Sequence, residues 1–390
     1  MASVPTVTSV PDIVVTGIGL TTSLGGTAAE TWQKLRAGKS AIALRQPFLD
    51  LAPGPMAMVG KEPLALAALT EQLVEAAWVD GGLGEGERGR EDCGVVIGSS
   101  RSHLGQWEEM ARQQAQSPGQ VRGNWLSVLP SSPALSVARW AGCRGPVLAP
   151  MAACATGIWA ITQAADLIRG GQCQRVIAGA VESPITPLTL TGFRKMGALA
   201  HTGCYPFDQE REGFVLGEGG AVLILESSAL AAQRGAKVYG KILAAGMTND
   251  SHHVSSFDPS YRMGQRAVEL CLQRSGLTPQ AIDAVHVHGT STAQNDQMEA
   301  SLIEQNLGRA VPVMATKGAT GHLLGASGAV TVALSLTSLR QQAVLPCVGL
   351  RQAAFNLNFV RAARAAKLRN LLCFSFGFGG QNAVLALSAQ

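Results

Sequence analysis

The stretch Pro150-Met151-Ala152-Ala153-Cys154-Ala155-Thr156-Gly157 decides how this chain of 390 residues is interpreted. It follows Gly145-Pro146-Val147-Leu148, an apolar run that predicts a buried strand, and it precedes apolar residues at helical spacing from Ile158 to Ile168. A cysteine between a strand and a helix receives the positive end of the helix dipole, which favours a thiolate. Small neighbours let a substrate approach the sulfur. The position suits a nucleophile, although an isolated cysteine is more often a buried structural thiol.

Composition limits the classes of protein to consider. With 46% hydrophobic residues, 15% charged residues and 45 glycines, the chain can bury a large core in one double domain or two fused domains. A net charge of +4 without a lysine or arginine block argues against nucleic-acid binding, while a mildly basic surface suits an acidic protein partner. Eight cysteines without C-x-x-C spacing argue against zinc and disulfides, and they predict a reducing, cytoplasmic location.

No targeting segment or membrane span is predicted. The segment from Met1 to Pro5 lacks the basic and apolar regions of a secretory signal. The longest uncharged stretch, 318–339, contains a histidine, several glycines and hydroxyl residues, so it predicts a buried core helix rather than a membrane span. We therefore expect a soluble protein.

The two halves of the sequence are similar in pattern. Three pairs of apolar, strand-like segments correspond in order: 13–19 with 241–247, 92–99 with 283–290, and 176–180 with 372–377. Helical stretches near 64–79 and 265–275 precede the second pair, and this alternation predicts α/β layers. The repeat is too long for a solenoid. We infer a duplicated α/β unit, with an N-terminal half over 1–238 that carries the nucleophile and a C-terminal half over 239–390.

The C-terminal half supplies candidate partners for the nucleophile. His288 ends an apolar strand and is followed by Gly289-Thr290-Ser291-Thr292, as a polar pocket facing a substrate would require. His322 lies at a predicted loop-to-helix junction, where a neutral imidazole can point into a cavity. Either residue could instead be a satisfied core histidine, and Lys317 could be a solvated surface charge. The wide separation of these residues, without an H-x-x-H pair, predicts no metal site.

Five motifs, in this order along the chain, resemble those of the β-ketoacyl-acyl carrier protein synthases of the elongating, Cys-His-His kind. They are Ala153–Gly157, Pro206–Gly219, His288–Thr292, Thr316–Ala326 and Phe374–Asn382. The resemblance runs from about Ile13 to the last residue. It implies a thiolase-like, five-layered αβαβα fold of the α/β class, built from two similar halves with the active site between them. It also implies a homodimer formed through the nucleophile-bearing half.

The resemblance implies an acyltransferase that performs a decarboxylative Claisen condensation in fatty acid elongation. Cys154 would accept an acyl group from a carrier-protein thioester, with the backbone amides of Cys154 and Phe378 as the oxyanion hole. His288 and His322 would stabilise the enolate formed when malonyl-acyl carrier protein loses carbon dioxide. The carbanion would then attack the acyl-Cys154 thioester. No cofactor is implied, because the malonyl and acyl thioesters arrive on the phosphopantetheine of acyl carrier protein.

Supporting roles are implied as well. Lys317 would order the active-site network and Glu299 would pair with it, because a buried lysine without a carboxylate is costly. Taken alone, Glu299 could equally be a helix-surface carboxylate. Four further residues are implied to contact the substrate: Thr290 and Thr292 at the phosphopantetheine arm, Phe378 as a mobile gate, and Phe193 near the acyl tunnel.

Four segments depart from the usual pattern of these synthases: 113–129, 196–206, 255–258 and 293–295. Ala293-Gln294-Asn295 stand where proline and glycine are usual, so we expect a less constrained loop there. The segment 255–258 is expected beside the site of the phosphopantetheine arm. Acyl chain length, saturation preference and the identity of the carrier protein therefore stay open.

Other proteins of the same fold would require different residues at these positions. A thiolase would need a second cysteine where Phe376-Gly377-Phe378 stands, and an initiating Cys-His-Asn synthase would need asparagine in place of His322. A noncatalytic partner subunit, similar to a chain-length factor, would be expected to lack Cys154. A ketosynthase of a specialised lipid or polyketide pathway shares every motif and stays an open alternative.

Overall fold

The computed structural model of the chain describes residues 11–119 and 123–390, so the segment from Met1 to Pro5 lies outside the described residues. The strands are β1 (Ile13–Thr21), β2 (Ala43–Arg45), β3 (Gly54–Met56), β4 (Cys93–Gly98), β5 (Val147–Leu148), β6 (Arg175–Glu182), β7 (Gly219–Ser227), β8 (Gly240–Asn249), β9 (Ala284–His286), β10 (Val313–Met314), β11 (Ala343–Val344), β12 (Arg364–Ala365), β13 (Asn370–Gly377) and β14 (Gln381–Ser388). The α-helices are α1 (Ala28–Arg36), α2 (Leu66–Asp80), α3 (Leu104–Gln116), α4 (Ser132–Ala141), α5 (Thr156–Arg169), α6 (Pro187–Lys195), α7 (Ser228–Gln233), α8 (Arg262–Ser275), α9 (Ala293–Asn306), α10 (Lys317–Thr320) and α11 (Ser327–Gln341).

One mixed sheet of ten strands runs through the described structure, in the order β10-β9-β13-β14-β8-β1-β7-β6-β4-β5. The half-sheet β5-β4-β6-β7-β1 repeats as β10-β9-β13-β14-β8, with the same parallel and antiparallel pairs at equivalent places. The halves join where residues 13–15 pair antiparallel with residues 240–242. This repeated topology confirms the prediction of two similar halves.

Helices fill the space on both sides of each half-sheet. Helices α5 and α11 pack against each other in the centre, with α5 on β4 and β6 and α11 on β13. Helices α2 and α4 cover the outer face of the N-terminal half-sheet, and α8 and α9 cover that of the C-terminal half-sheet. The five layers confirm the αβαβα fold. The predicted boundary at residue 238 stays a prediction, and it falls between α7 and β8.

The central helices touch backbone to backbone. A Cβ atom on Gly157 would lie 2.3 Å from the backbone nitrogen of Ala329 on α11, so only glycine fits there. Almost all of α11 is buried, as predicted for the uncharged stretch 318–339. None of the described helices has both the length and the apolarity that crossing a membrane requires. The close contact places the start of α5 directly beside elements of the C-terminal half.

Two local expectations were wrong. Val147 and Leu148 form a strand, but Val147 is half-buried and Leu148 exposed, because β5 is the last strand of the sheet and nothing among the described residues covers its outer side. Residues 293–295 are not a loosely constrained loop, because they form the first turn of α9. The Thr292 hydroxyl caps that helix by accepting the N–H of Asn295 at 3.4 Å.

Candidate active site

Cys154 lies in a tight turn two residues before α5. The Thr156 hydroxyl fixes the turn, because it accepts the Ala152 N–H at 2.9 Å and donates to the Ala153 carbonyl at 2.7 Å. Ala153 has a φ of 47°, in the left-handed region. Ser375 on β13 donates to the Cys154 carbonyl at 3.0 Å. The nucleophile loop of one half is thus attached to a strand of the other.

The end of β13 brings a backbone donor to the sulfur. A Cβ atom on Gly377 would lie 3.0 Å from the Cys154 backbone nitrogen and 2.9 Å from the Ala152 carbonyl oxygen, so glycine permits this approach. Phe378, the next residue, lies close enough for its backbone N–H to lower the pKa of the Cys154 thiol. A donor at this place is what an oxyanion hole for an acyl group on the sulfur requires.

The structure brings Cys154, His288 and His322 together. The sulfur and one ring nitrogen of each histidine lie within 4.8 Å of one another, and the two rings meet edge to face with centroids 5.1 Å apart. Nδ1 of His322 shares a hydrogen bond of 2.9 Å with the Ser327 hydroxyl, and Nδ1 of His288 lies 3.3 Å from Nζ of Lys317. In both rings, Nε2 is therefore the nitrogen left for a substrate.

The electrostatics of the free site favour neutral groups. Burial, helped by the charge of Lys317, lowers the pKa of His288 and of His322 well below the usual value. Burial also raises the pKa of Cys154 to about 11, against the opposing effect of the Lys317 ammonium. The thiolate that the helix dipole was expected to favour is therefore not the resting form. The thiol must therefore lose its proton as acyl transfer proceeds.

Lys317 and Glu299 are both buried, but their link is indirect. The Glu299 carboxylate accepts the backbone N–H groups of His288 and Gly289, each at 2.6 Å, while Lys317 donates to the His288 carbonyl. This geometry corrects the expectation of a direct ion pair, because the His288 peptide lies between the two charges. Burial raises the pKa of Glu299 to about 7 and lowers the pKa of Lys317 to about 8. Together they fix the backbone at His288.

A cavity of about 350 Å³ opens onto the nucleophile. Seven of the nine predicted site residues line it: Cys154, Phe193, His288, Thr290, Thr292, His322 and Phe378. The hydroxyls of Thr290 and Thr292 lie 2.9 Å apart, and the Phe378 and Phe193 rings lie 6.2 Å apart. Three of the departing segments, at residues 196–198, 255–257 and 293–295, line the same cavity, so they are placed to influence which substrate fits.

Cys154 also belongs to an apolar cluster of buried side chains. It includes Met56, Met58, Ile185, Leu190, Phe193, Phe214, Leu216 and Leu324. Such a lining accepts a hydrocarbon chain, because burying each methylene group stabilises the bound state by roughly 0.8 kcal/mol. Phe193, Phe214 and Leu324 of this cluster also line the cavity, so the cluster continues into the cavity wall.

Two buried polar residues near the site were not predicted from the sequence. Glu182, the last residue of β6, accepts hydrogen bonds from the backbone and hydroxyl of Ser100, and it lies close enough to raise the pKa of Cys154. The His286 ring lies between the hydroxyls of Ser335, at 2.9 Å, and Thr316, at 3.0 Å. The sequence feature that could have identified Glu182 is a carboxylate at the end of a strand with an apolar interior. Nothing comparable distinguished His286 from a satisfied core histidine.

The three reacting groups also form a possible metal-binding set. One sulfur and two imidazole nitrogens are ligands that zinc accepts, although three ligands alone leave a position open. The prediction that the protein works without a metal therefore stays a prediction.

Comparisons with known proteins cover nearly all of the chain. The N-terminal domain of β-ketoacyl synthases matches residues 62–231, and the C-terminal domain matches residues 239–351. A 3-oxoacyl-(acyl-carrier-protein) synthase 2 of Vibrio cholerae is 32% identical over 96% of this chain and 98% of its own. A β-ketoacyl synthase from Burkholderia phymatum superimposes with a TM-score of 0.90 at 26% identity, over 97% of this chain and 100% of its own. A structure of a type II polyketide acyl-carrier protein with its ketosynthase gives a TM-score of 0.93 at 26% identity, over 97% of this chain and 100% of the other. The chain belongs to the β-ketoacyl synthase family.

Proposed function

We propose that this protein is an acyltransferase of fatty acid elongation that condenses an acyl group with malonyl-acyl carrier protein. The observation that carries the proposal is the Cys154 thiol within 4.8 Å of two neutral imidazoles, at the wall of a cavity. The similarity to synthases named for this reaction, across 96% of the chain, supports it.

The first half-reaction is acyl transfer. The Cys154 sulfur attacks the thioester carbonyl of acyl-acyl carrier protein and gives up its proton as the bond forms. The oxyanion forms against the backbone N–H of Phe378, which lies near the sulfur. The carrier-protein thiolate leaves and takes up the proton, so that the acyl group stays on Cys154.

The second half-reaction is decarboxylation and condensation. Malonyl-acyl carrier protein loses carbon dioxide, and the electrons of the broken bond form an enolate at the thioester. The Nε2–H groups of His288 and His322 stabilise its oxygen, because ring nitrogens that carry a hydrogen are donors. The enolate carbon attacks the acyl thioester and expels the Cys154 thiolate, which takes up a proton from solvent to give the thiol. The product is two carbons longer, and the chemistry needs no cofactor because carbon dioxide is the leaving group.

Acyl carrier protein is the proposed partner. A related structure holds a polyketide acyl-carrier protein against its ketosynthase, which supports docking of a carrier protein here. The paired hydroxyls of Thr290 and Thr292 on the cavity wall are suited to an amide-rich phosphopantetheine arm. A net charge of +4 suits an acidic partner.

A homodimer formed through the N-terminal half is also proposed. Strand β5 is the last strand of the described sheet, and its unpaired edge can form hydrogen bonds with a strand of a second copy. Large apolar residues are exposed on and around it: Leu148 on β5, Leu135 on the adjacent α4, and Trp125, Leu126 and Met151. Light scattering should give the mass of two chains, and Leu148→Asp should lower it to one. A wild-type monomer would contradict this arrangement.

A cytoplasmic location is proposed because the cysteines are free thiols. All eight cysteines lie within the described residues and are free, which suits a reducing compartment.

A specialised ketosynthase is the second candidate, because the polyketide ketosynthase is as similar in fold as the β-ketoacyl synthase from Burkholderia phymatum. Both functions use the same chemistry and differ in the acyl group. The test is to mix the protein with malonyl-acyl carrier protein and saturated acyl-carrier proteins of several lengths, and to identify products by mass. A β-ketoacyl product from saturated chains supports fatty acid elongation. Product only from oxygenated acyl groups supports the second candidate, and no product from any of them contradicts both.

A further inference from the structure

A pair of thiols lies outside the active site, at the opposite end of β4. Cys93 begins that strand and Cys143 follows the end of α4, and their sulfur atoms lie 3.0 Å apart. A disulfide has a sulfur–sulfur distance of about 2.05 Å, so bond formation needs an approach of only about 1 Å. The residues are 50 positions apart in the sequence. The fold, rather than the local chain, brings them together.

The backbone segment that carries Cys93 is hydrogen-bonded to the segment that carries Cys143. The Gly145 N–H donates to the Cys93 carbonyl at 2.9 Å, and the Arg144 N–H donates to the Arg90 carbonyl at 3.3 Å. A Cβ atom on Gly145 would lie 2.7 Å from the Cys93 carbonyl oxygen. The two chain segments are therefore held at a fixed separation, and little reorganisation is needed to join the sulfurs.

The two thiols differ in the way that a reactive and a resolving cysteine differ. Cys143 is half-buried and Cys93 is buried. The hydrogen bond with Cys93, followed by the nearby Arg175 guanidinium, lowers the pKa of Cys143 against the effect of burial. The same hydrogen bond and burial raise the pKa of Cys93. A thiolate that solvent can reach, next to a thiol that can displace its oxidised form, is the usual arrangement of a redox-sensitive cysteine.

We propose that Cys93 and Cys143 form an oxidation site that takes up a peroxide and closes to a disulfide. The Cys143 thiolate attacks a peroxide oxygen, the O–O bond breaks, and hydroxide leaves to become water, so that Cys143 is a sulfenic acid. The Cys93 sulfur then attacks the sulfenic sulfur, the S–O bond breaks, and a second water leaves. Two thiols lose two electrons and one hydrogen peroxide becomes two waters. A thiol reductant reverses the reaction.

The bond would tie the end of α4 to the start of β4, immediately before the segment that leads through β5 to the nucleophile loop. It would close a loop that includes α3, which has no buried residue. A crosslink of this kind restricts the unfolded chain and so raises the stability of the N-terminal half. The site does not involve Cys154, and it stands independently of the proposed function.

Cys173 is a third thiol that could take the place of Cys93 or Cys143 in the crosslink. It is buried, and a Cβ atom on Gly94, beside Cys93, would lie 2.8 Å from its sulfur. The test must therefore identify which thiols are joined rather than count the thiols lost.

The experiment uses full-length Cys154→Ala protein, in which the active-site thiol cannot react. The folded protein is treated with hydrogen peroxide, and the remaining thiols are blocked before digestion without reductant. The expected result is one crosslinked peptide pair containing Cys93 and Cys143, lost on treatment with dithiothreitol, and a melting temperature that rises by several degrees while the crosslink is present. A crosslink from Cys143 to Cys173, a crosslink between chains, or overoxidised Cys143 without any crosslink would overturn the proposal.

The matched variant is Cys93→Ser in the same background. It should leave Cys143 as a sulfenic acid that dimedone traps, with no crosslinked pair. A crosslink that persists in this variant would assign the resolving role to another thiol and overturn the proposal. If the variant does not fold, the peptide map of the parent protein decides the question alone.

Discussion

The Nζ atom of Lys317 lies 3.3 Å from Nδ1 of His288 and donates to the carbonyl oxygen of the same residue. One ammonium thus holds both the backbone and the ring of His288. An ammonium can only donate, so Nδ1 must accept and the ring hydrogen must lie on Nε2. The tautomer that can donate to an enolate therefore depends on the charge of Lys317.

Decarboxylation should fall as the pH rises through about 8. Burial lowers the pKa of Lys317 to about 8, so above that pH the ammonium loses the proton that sets the His288 tautomer. The measurement is carbon dioxide release from malonyl-acyl carrier protein by Cys154→Ala protein, in which the thiol cannot titrate. In the Lys317→Arg background, the guanidinium stays charged and the alkaline decline should move to higher pH. A decline at the same pH in both proteins would show that another group controls it.

His322→Ala should slow decarboxylation more than acyl transfer. The imidazole is a donor to the enolate, and removal of one such donor typically costs about 10²–10³-fold in rate. Acyl transfer keeps the Phe378 N–H and His288, so its rate should change by less. The two rates are measured separately, as carbon dioxide release and as acylation of Cys154. A larger loss in acylation would mean that His322 is chiefly the base for the thiol.

Gly157→Ala should destabilise the protein by about 2 kcal/mol or more, because overpacking a core contact costs this much. The added methyl group would lie 2.3 Å from the Ala329 backbone nitrogen, where neither α5 nor α11 can give way easily. Gly192→Ala on α6 is the control, since nothing lies within 4 Å of its added carbon. It should be neutral or stabilising by about 0.5–1 kcal/mol. Equal urea-unfolding energies for the two variants would contradict the close packing of the central helices.

Glu182→Ala should cost more than about 3 kcal/mol of stability, because unsatisfied buried donors cost about 1–3 kcal/mol each. The carboxylate accepts from the Ser99 hydroxyl at 3.2 Å, from the backbone and hydroxyl of Ser100, and from the Arg101 N–H at 3.3 Å. Glu212→Ala is the matched control, since that carboxylate also accepts several hydrogen bonds but is exposed to water. Similar losses of unfolding free energy, measured in urea, would show that burial of Glu182 does not determine its contribution to stability.

The residues of the candidate site could be located from the sequence because each lies in a short segment with its own pattern. Cys154 stands between a strand and a helix, and His288 follows an apolar strand. The structure brings them together through β13, which pairs with β9 before His288 and carries Ser375, a donor to the Cys154 carbonyl. The repeated strand order was visible in sequence as three corresponding apolar segments.

The errors concern properties that depend on distant parts of the chain. Whether Leu148 is buried depends on its place in the sheet order, and an apolar dipeptide gives no information about that. Glu299 caps backbone N–H groups instead of pairing with Lys317, because the His288 peptide occupies the space between them. The raised pKa of Cys154 results from burial, which outweighs the effect of the helix N-terminus that the sequence predicts.

The most direct measurement is intact-protein mass spectrometry of the wild-type protein with acyl-acyl carrier protein, followed by addition of malonyl-acyl carrier protein. An acyl adduct should form on Cys154, confirmed by peptide mapping, and it should disappear as a β-ketoacyl product two carbons longer appears. Cys154→Ala protein should form no adduct but should still release carbon dioxide from malonyl-acyl carrier protein. A product formed without an adduct on Cys154, or an adduct that malonyl-acyl carrier protein cannot discharge, would contradict the account.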